Sequence, residues 1–162
     1  MMGAGVVKPR PYPAQELSAP APAEHSLEYA AFRELHEQVY LDYARLQTCD
    51  MRRAERAVNR AFAALCAGWS DALRSASLAA EAWKTLNLAV GSVDEHGVIS
   101  NARQRCHLSD LQADAVRLYH QLGLSLPATA ALMGTDDHTV RAAVSSAALI
   151  TCSADPCRFY GF

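Results

Sequence analysis

Apolar residues recur at alternating intervals of three and four along most of the chain, the spacing that places them on one face of an α-helix. In the first half this pattern predicts helices over residues 26–47, 51–67 and 71–90, and Ser75 and Ser77 favour a bend in the third. Few segments alternate with a period of two, so the predicted fold class is all-α with almost no sheet. The apolar stripes consist of Phe32, Leu35, Val39, Tyr43 and Leu46, then Met51, Ala54, Val58, Ala61 and Leu65, then Leu73, Leu78, Ala82, Trp83, Leu86 and Val90.

The second half of the chain carries signals for three shorter helices joined by tight turns. Ser109 followed by Gln112 has the spacing of a capping box, in which both side chains satisfy backbone N–H groups at a helix start. Gly123 and Gly134 are expected to end the first two helices, because glycine adopts the left-handed conformation at little cost. This layout predicts a helix-turn-helix unit whose recognition helix spans 137–148. The expected caps of the last two helices are Ser125 and either Thr135 or Asp136, and the expected packing positions are Leu108, Leu111, Ala115, Leu118, Leu122, Ala130, Ala131, Leu132, Val140, Ala143, Val144 and Ala147.

The two groups of helices predict two small domains, a bundle in residues 26–90 and the helix-turn-helix unit in residues 107–150. A linker over 91–106 joins them, because its glycines and polar residues interrupt the helical pattern. Residues 1–25 contain five of the seven prolines and are expected to form a disordered extension. The remaining residues, 151–162, form a C-terminal tail in this division of the chain.

Short motifs in both halves match, in order and approximate spacing, the motifs of one bacterial protein family. In the first half they are Phe32, Leu35, Tyr40, Tyr43, Ala44, Ala54, Glu55, Phe62, Leu65, Trp69, Ala82 and Trp83, and in the second half Leu108, Ser109, Gln112, Ala115, Leu118, Gly123–Ser125, Ala130–Gly134 and Thr139–Arg141. The first half resembles region 2, and the second half region 4, of extracytoplasmic-function (ECF) sigma factors. The resemblance implies a protein that binds core RNA polymerase and promoter DNA, with an anti-sigma or other regulatory protein as a further partner.

The resemblance also implies which residues form the two binding sites. Arg141 is the strongest candidate to read a base, since a guanidinium can donate two hydrogen bonds to guanine. The implied DNA-binding residues are His138, Thr139, Arg141, Ala142, Ser145 and Ser146. The implied polymerase-binding residues are Arg56, Asn59, Arg60 and Phe62.

Charge separates this chain from a strongly basic DNA-binding protein. The formal net charge is −2, and residues 107–150 contain four acidic residues and two basic ones. At positions 56 and 60 the chain has arginine, where the helix of the sigma family that binds polymerase usually carries acidic or amide residues. These features leave a second interpretation open, namely a degenerate sigma fold that binds polymerase or another regulator without reading DNA.

Other classes of function find little support in the sequence. No nucleophile–base set, phosphate-binding glycine loop or metal motif is visible, so the chain is predicted to be neither an enzyme nor a cofactor-binding protein. The five cysteines, an odd number, are expected to be free thiols in a cytoplasmic protein. A zinc site formed by Cys106, His107, Cys152 and Cys157 is a weaker alternative, because the spacing is not that of paired CxxC motifs. A redox pair of Cys152 and Cys157 is a further weak alternative. No run of about 18 apolar residues occurs, so no membrane span is predicted.

Overall fold

The computed structural model describes residues 26–93 and 109–148. Within these ranges the regular elements are helices and there is no strand, which confirms the predicted all-α fold class. None of the helices in this part of the chain combines the length and apolar character that crossing a membrane requires. The helices are α1 (Leu27–Thr48), α2 (Met51–Ala67), α3 (Trp69–Arg74), α4 (Leu78–Val93), α5 (Asp110–Val116, continued by a π-helical turn at Arg117–Gln121), α6 (Leu126–Met133) and α7 (Asp137–Ala148).

Some of the predictions concern residues outside the described ranges. They are the extension over 1–25, the tail over 151–162 and most of the linker over 91–106. Helix α4 continues to Val93 and therefore includes the first three residues of the predicted linker. The proposed zinc ligands and redox cysteines also lie outside the described residues.

The first half is a bundle in which α2 packs against both α1 and α4. Ser26 and Asp50 begin α1 and α2 as N-caps, since each side-chain oxygen accepts a hydrogen bond from a backbone N–H of the first turn. The third predicted helix is divided into α3 and α4 between Ser75 and Ser77, where the two serines favour a bend. Both serine hydroxyls bond to nearby backbone, and these bonds replace those that a continuous helix would make.

The centre of the bundle is aromatic, and this changes the face that α1 turns inward. Tyr40, Tyr43 and Phe62 are all nearly inaccessible to solvent, and Tyr29 is also buried. Leu35, which the predicted stripe places in the core, is 76 % exposed, so that part of the prediction is wrong. Large aromatic side chains bury more surface than a leucine, and the face that carries them is therefore the one that packs inward.

The second half folds as the predicted helix-turn-helix unit. Ser109 and Gln112 form both hydrogen bonds of the capping box, at 3.3 Å and 2.9 Å. Gly123 and Gly134 have left-handed φ angles of 68° and 66°, as expected of glycines that follow helix ends. The N-caps of α6 and α7 are Ser125 and Asp136.

Three details of this unit differ from the prediction. The α5 helix ends in a π-helical turn, in which the Leu122 N–H donates to the Arg117 carbonyl five residues earlier. Leu111 and Ala131 were expected in the apolar face but are exposed. Asp114 is buried instead, where side chains of α1 and α4 donate hydrogen bonds to it.

The two halves are in contact over the described residues. Helix α6 packs against α4, and the π-helical turn that continues α5 packs against α1. The buried apolar residues of both halves form a single hydrophobic cluster. The arrangement as two separate small domains is therefore not confirmed, although the helix-turn-helix unit keeps its own internal packing.

Candidate nucleic-acid interface

Helix α7 turns one side toward α5 and α6 and presents the other side to solvent. Val140 and Ala147 are buried on the inner side. Four of the six predicted DNA-binding residues are exposed and lie three, four and seven positions apart, so they share one face of the helix. We call this face the α7 stripe, and it consists of His138, Arg141, Ala142 and Ser145.

The other two predicted DNA-binding residues hold α7 in place and do not belong to the stripe. Thr139 is half-buried, and its hydroxyl donates a hydrogen bond of 2.7 Å to the Asp136 carboxylate. The Ser146 hydroxyl accepts a hydrogen bond of 2.7 Å from the amide of Gln112 and donates one to the Ala143 carbonyl. In the structure these two hydroxyls fix the helix, and their predicted role as DNA contacts stays a prediction.

The beginning of α7 is acidic. Hydrogen bonds from the Thr139 side chain and backbone hold the pKa of Asp136 below its ordinary value, so this carboxylate is ionised at neutral pH. Asp137 follows in the first helical turn. Both carboxylates interact favourably with the positive end of the helix dipole, and they repel a phosphate placed there. A duplex bound at α7 would therefore be favoured at Arg141, one turn further along.

A buried carboxylate, which sequence reasoning missed, fixes the helix-turn-helix unit to the bundle. The Tyr43 hydroxyl donates to Asp114 across 2.6 Å, while the Trp83 indole and the Asn87 amide donate to its second oxygen across 3.3 Å and 3.2 Å. The Arg117 guanidinium lies 3.6 Å away as a counter-ion. A buried charge needs such partners to offset the loss of its hydration, and these partners determine the position of α5 on the bundle.

The turn between α6 and α7 also lies directly on the bundle. A Cβ atom built at Gly134 would lie 2.6 Å from the Cα atom of Ala80, in the first turn of α4. Only glycine leaves room for this approach, and its left-handed backbone is also required there. The turn, like the carboxylate, therefore connects the orientation of α7 to the first half.

The predicted polymerase-binding residues divide into an exposed set and a buried one. Arg56, Asn59 and Arg60 are exposed on α2. Phe62 is 1 % exposed, and its ring stacks on that of Tyr40 with centroids 5.6 Å apart. The predicted contact by Phe62 is therefore corrected, since a side chain in the core positions α2 and is not offered to a partner.

The described cysteines differ from one another in their chemistry. Cys66 is a buried free thiol, as expected for a small core residue. Cys49 is disulfide-bonded, which contradicts the expectation of free thiols at this position. Within residues 26–93 and 109–148, no group of three or more His, Cys, Asp and Glu side chains is placed to hold a metal ion.

No protein-family model, curated protein or solved structure matches the chain. The geometry of α7 and the distribution of charge on the helices are therefore the features from which a function can be inferred.

Proposed function

We propose that the protein is a sigma-like regulator of transcription that binds promoter DNA through the α7 stripe and core RNA polymerase through its first half. The observation that carries this proposal is the exposed face of α7, a helix whose opposite side packs against α5 and α6. A recognition helix requires such a face, because a single α-helix fits the major groove of B-DNA. Since polymerase and promoter are intracellular, we expect the protein to act in the cytoplasm.

The chemistry of the stripe suits a modest contact with bases. Arg141 can donate two hydrogen bonds to a guanine, and Ala142 can contact the methyl group of a thymine. His138 and Ser145 can bond to phosphates or base edges more weakly. Because Arg141 is the one side chain of the stripe that can contact a base strongly, we expect this helix alone to discriminate only weakly between DNA sequences. Polymerase would then supply much of the affinity at a promoter.

A second candidate function is supported by the acidic start of α7. In the described part of the helix-turn-helix unit, Asp114 and Arg117 are paired, which leaves Asp110, Asp136 and Asp137 against Arg141 as the remaining Asp, Glu, Lys and Arg residues. This balance opposes DNA and suits a module that binds polymerase or another regulator without reading sequence. In that case the α7 stripe would contact protein.

The experiment that separates the two candidates is a pull-down with core RNA polymerase, followed by transcription from the recovered complex on a library of promoter fragments. Retention with specific transcripts supports the sigma-like function. Retention without transcripts supports the interaction module, and loss of retention contradicts both forms of polymerase binding.

The role of α7 is tested by an Arg141→Ala variant in a selection of bound DNA sequences. We expect the variant to lose preference at one base pair, by a factor of about 5 to 150, the range for a bidentate contact of about 1–3 kcal/mol. Arg74→Ala is the matched control, because Arg74 is equally exposed but is paired with Asp71 on α3. An unchanged preference in Arg141→Ala would exclude α7 as the reading helix.

A further inference from the structure

Helix α2 carries a row of arginines on its exposed side. Arg52, Arg56 and Arg60 are exposed and follow one another at intervals of four residues, so they stand about 6 Å apart along the helix. We call these three residues the arginine stripe, and Arg53 lies beside it. The chain has a formal net charge of −2, yet four of its fifteen basic residues lie within these nine positions.

Over the described residues, the charges of the arginine stripe are not neutralised by ion pairs. Among the described residues, the cations that have an acidic side chain within 4 Å are Arg33, Arg74, Lys84 and Arg117. None of the stripe residues is among them, and the partner of Arg60 in this part of the chain is the uncharged Ser92 hydroxyl. Asp50 and Glu55 are the nearest acids in sequence, and the Asp50 carboxylate is occupied as the cap of α2. Within residues 26–93 and 109–148, the guanidinium groups of the stripe therefore have no acidic partner and are open to an anionic one.

We propose that the arginine stripe binds the phosphate backbone of duplex DNA, as a second contact outside the α7 stripe and in place of the polymerase contact that the resemblance implies for Arg56 and Arg60. The proposal rests on the proposed function in taking DNA as the partner. B-DNA carries one charge for about every 1.7 Å of its axis, so a row of about 12 Å passes several phosphates in any register. Guanidinium groups bind phosphates with paired hydrogen bonds, and no sequence is read in doing so.

An acidic protein surface is the alternative partner, and the structure favours it less. Stable protein interfaces depend on a few side chains buried at the centre, where arginine is commonly accompanied by tryptophan or tyrosine. On α2 the aromatic residue, Phe62, belongs to the core, and the exposed neighbours of the stripe are mainly alanine, asparagine and glutamate, with Met51 at the helix end. A charged row without such an anchor suits a polyelectrolyte, because binding there comes from the release of counterions.

The contact would also compensate for the acidic start of α7. The stripe supplies positive charge that the helix-turn-helix unit lacks, so the chain can be held on DNA while α7 contributes discrimination. The expected division is simple: the α2 arginines determine affinity and its dependence on salt, whereas Arg141 determines preference for a base.

The test is the salt dependence of binding to a labelled duplex of arbitrary sequence, measured by fluorescence anisotropy with the full chain. Each phosphate contact contributes about −0.9 to the slope of log affinity against log salt concentration. The triple variant Arg52→Ala, Arg56→Ala, Arg60→Ala is therefore expected to lose about 2.7 from the slope. From about 50 to about 200 mM salt, the affinity of the unmodified protein should fall about 40-fold more than that of the variant.

Two controls make the result specific. The variant with lysine at the same three positions keeps the charge and should keep most of the slope, while Arg74→Ala with Lys84→Ala removes two exposed, paired cations and should leave the slope unchanged. Arg141→Ala is expected to retain most of the slope. Far-UV circular dichroism checks that each variant is folded.

Three outcomes would overturn the proposal. One is a slope that is the same in the alanine triple variant as in the unmodified protein. Another is that the alanine triple variant loses binding to poly-glutamate while its binding to DNA is unchanged. That result would assign the stripe to an acidic protein. The third is no binding of the unmodified protein to duplex at low salt. If the base preference depends on Arg141 but the salt slope does not change in the alanine triple variant, the proposed function is still supported. Only the inference about the stripe is then contradicted.

Discussion

The close approach of Gly134 to Ala80 allows the attachment of the helix-turn-helix unit to be tested by adding a single methyl group. Gly134→Ala places a Cβ atom 2.6 Å from the Ala80 Cα atom and 2.7 Å from its Cβ atom. Gly123→Ala is a matched control, because Gly123 has almost the same left-handed φ angle and nothing within 4 Å of the added atom. The two variants share the cost of backbone strain and differ in the contact with α4.

The two costs can be estimated separately. An L-residue in the left-handed conformation costs about 1–2 kcal/mol relative to glycine, and this applies to both variants. At Gly134 the backbone of α4 or of the turn must also move by more than 1 Å to bring the Ala80 backbone N to an ordinary contact distance from the added atom. Overpacking of this kind costs about 1–3 kcal/mol. We therefore expect Gly134→Ala to lower the free energy of unfolding by about 2–5 kcal/mol, and Gly123→Ala by about 1–2 kcal/mol.

The assay is urea unfolding followed by far-UV circular dichroism, with the free energy extrapolated to zero denaturant. Comparable m-values for the variants would show that the same transition is compared. Equal destabilisation of the two variants would refute the reasoning, since it would mean that the turn does not press on α4. In that case the helix-turn-helix unit would be free to move away from the bundle.

The remaining predictions concern four single side chains. Tyr43→Phe should lower the free energy of unfolding by about 1.5–3 kcal/mol, because it removes a hydrogen bond to the buried Asp114 carboxylate. Tyr40→Phe should be neutral or stabilising, since the buried Tyr40 hydroxyl has no hydrogen-bond partner among the described residues. Urea unfolding measures the free energy of unfolding of both tyrosine variants, and an equal loss in the two would contradict the difference in their hydrogen bonding. Ser125→Ala should cost about 1 kcal/mol in the same assay, through loss of the α6 cap. The lowered pKa of Asp136 means that its cap stabilises α7 above pH 3.8 and fails as pH falls through the lower folded-state value. Asp136→Asn keeps a cap that does not titrate, so the stability of the variant should depend less on pH in this window when acid unfolding is followed by circular dichroism. An unchanged dependence on pH would contradict the role of Asp136 as a titrating cap.

The helix-turn-helix unit could be predicted because its signals are local. The Ser109–Gln112 capping box, the two glycines in left-handed conformation and the Ser125 cap each depend on residues within one helical turn. Such signals act before any tertiary contact forms. The exposed positions of α7 include four of the six residues that the resemblance implied, whereas Thr139 and Ser146 are half-buried.

The features that the sequence did not reveal depend on residues distant along the chain. Leu35 was expected inside because its own spacing fits, but the aromatic neighbours that α1 meets decide which face is buried. Asp114 has the sequence context of a solvated acidic residue, and its donors come from α1 and α4, 27 to 71 residues away. The π-helical turn after α5 has no local signal of comparable strength.

The Asp114 contact also has a consequence for the order in which the protein folds. Tyr43 and Asp114 are separated by 71 positions, so their hydrogen bond closes a long loop, with an entropic cost that grows to about 4 kcal/mol at this length. The hairpin of α1 and α2, and the three helices of the second half, need only short-range contacts and can form earlier. We therefore expect docking of the two halves to be the slow, late step, during which the carboxylate still lies in water and keeps its charge at no cost. Its burial comes last, when its three donors are already in place to receive it.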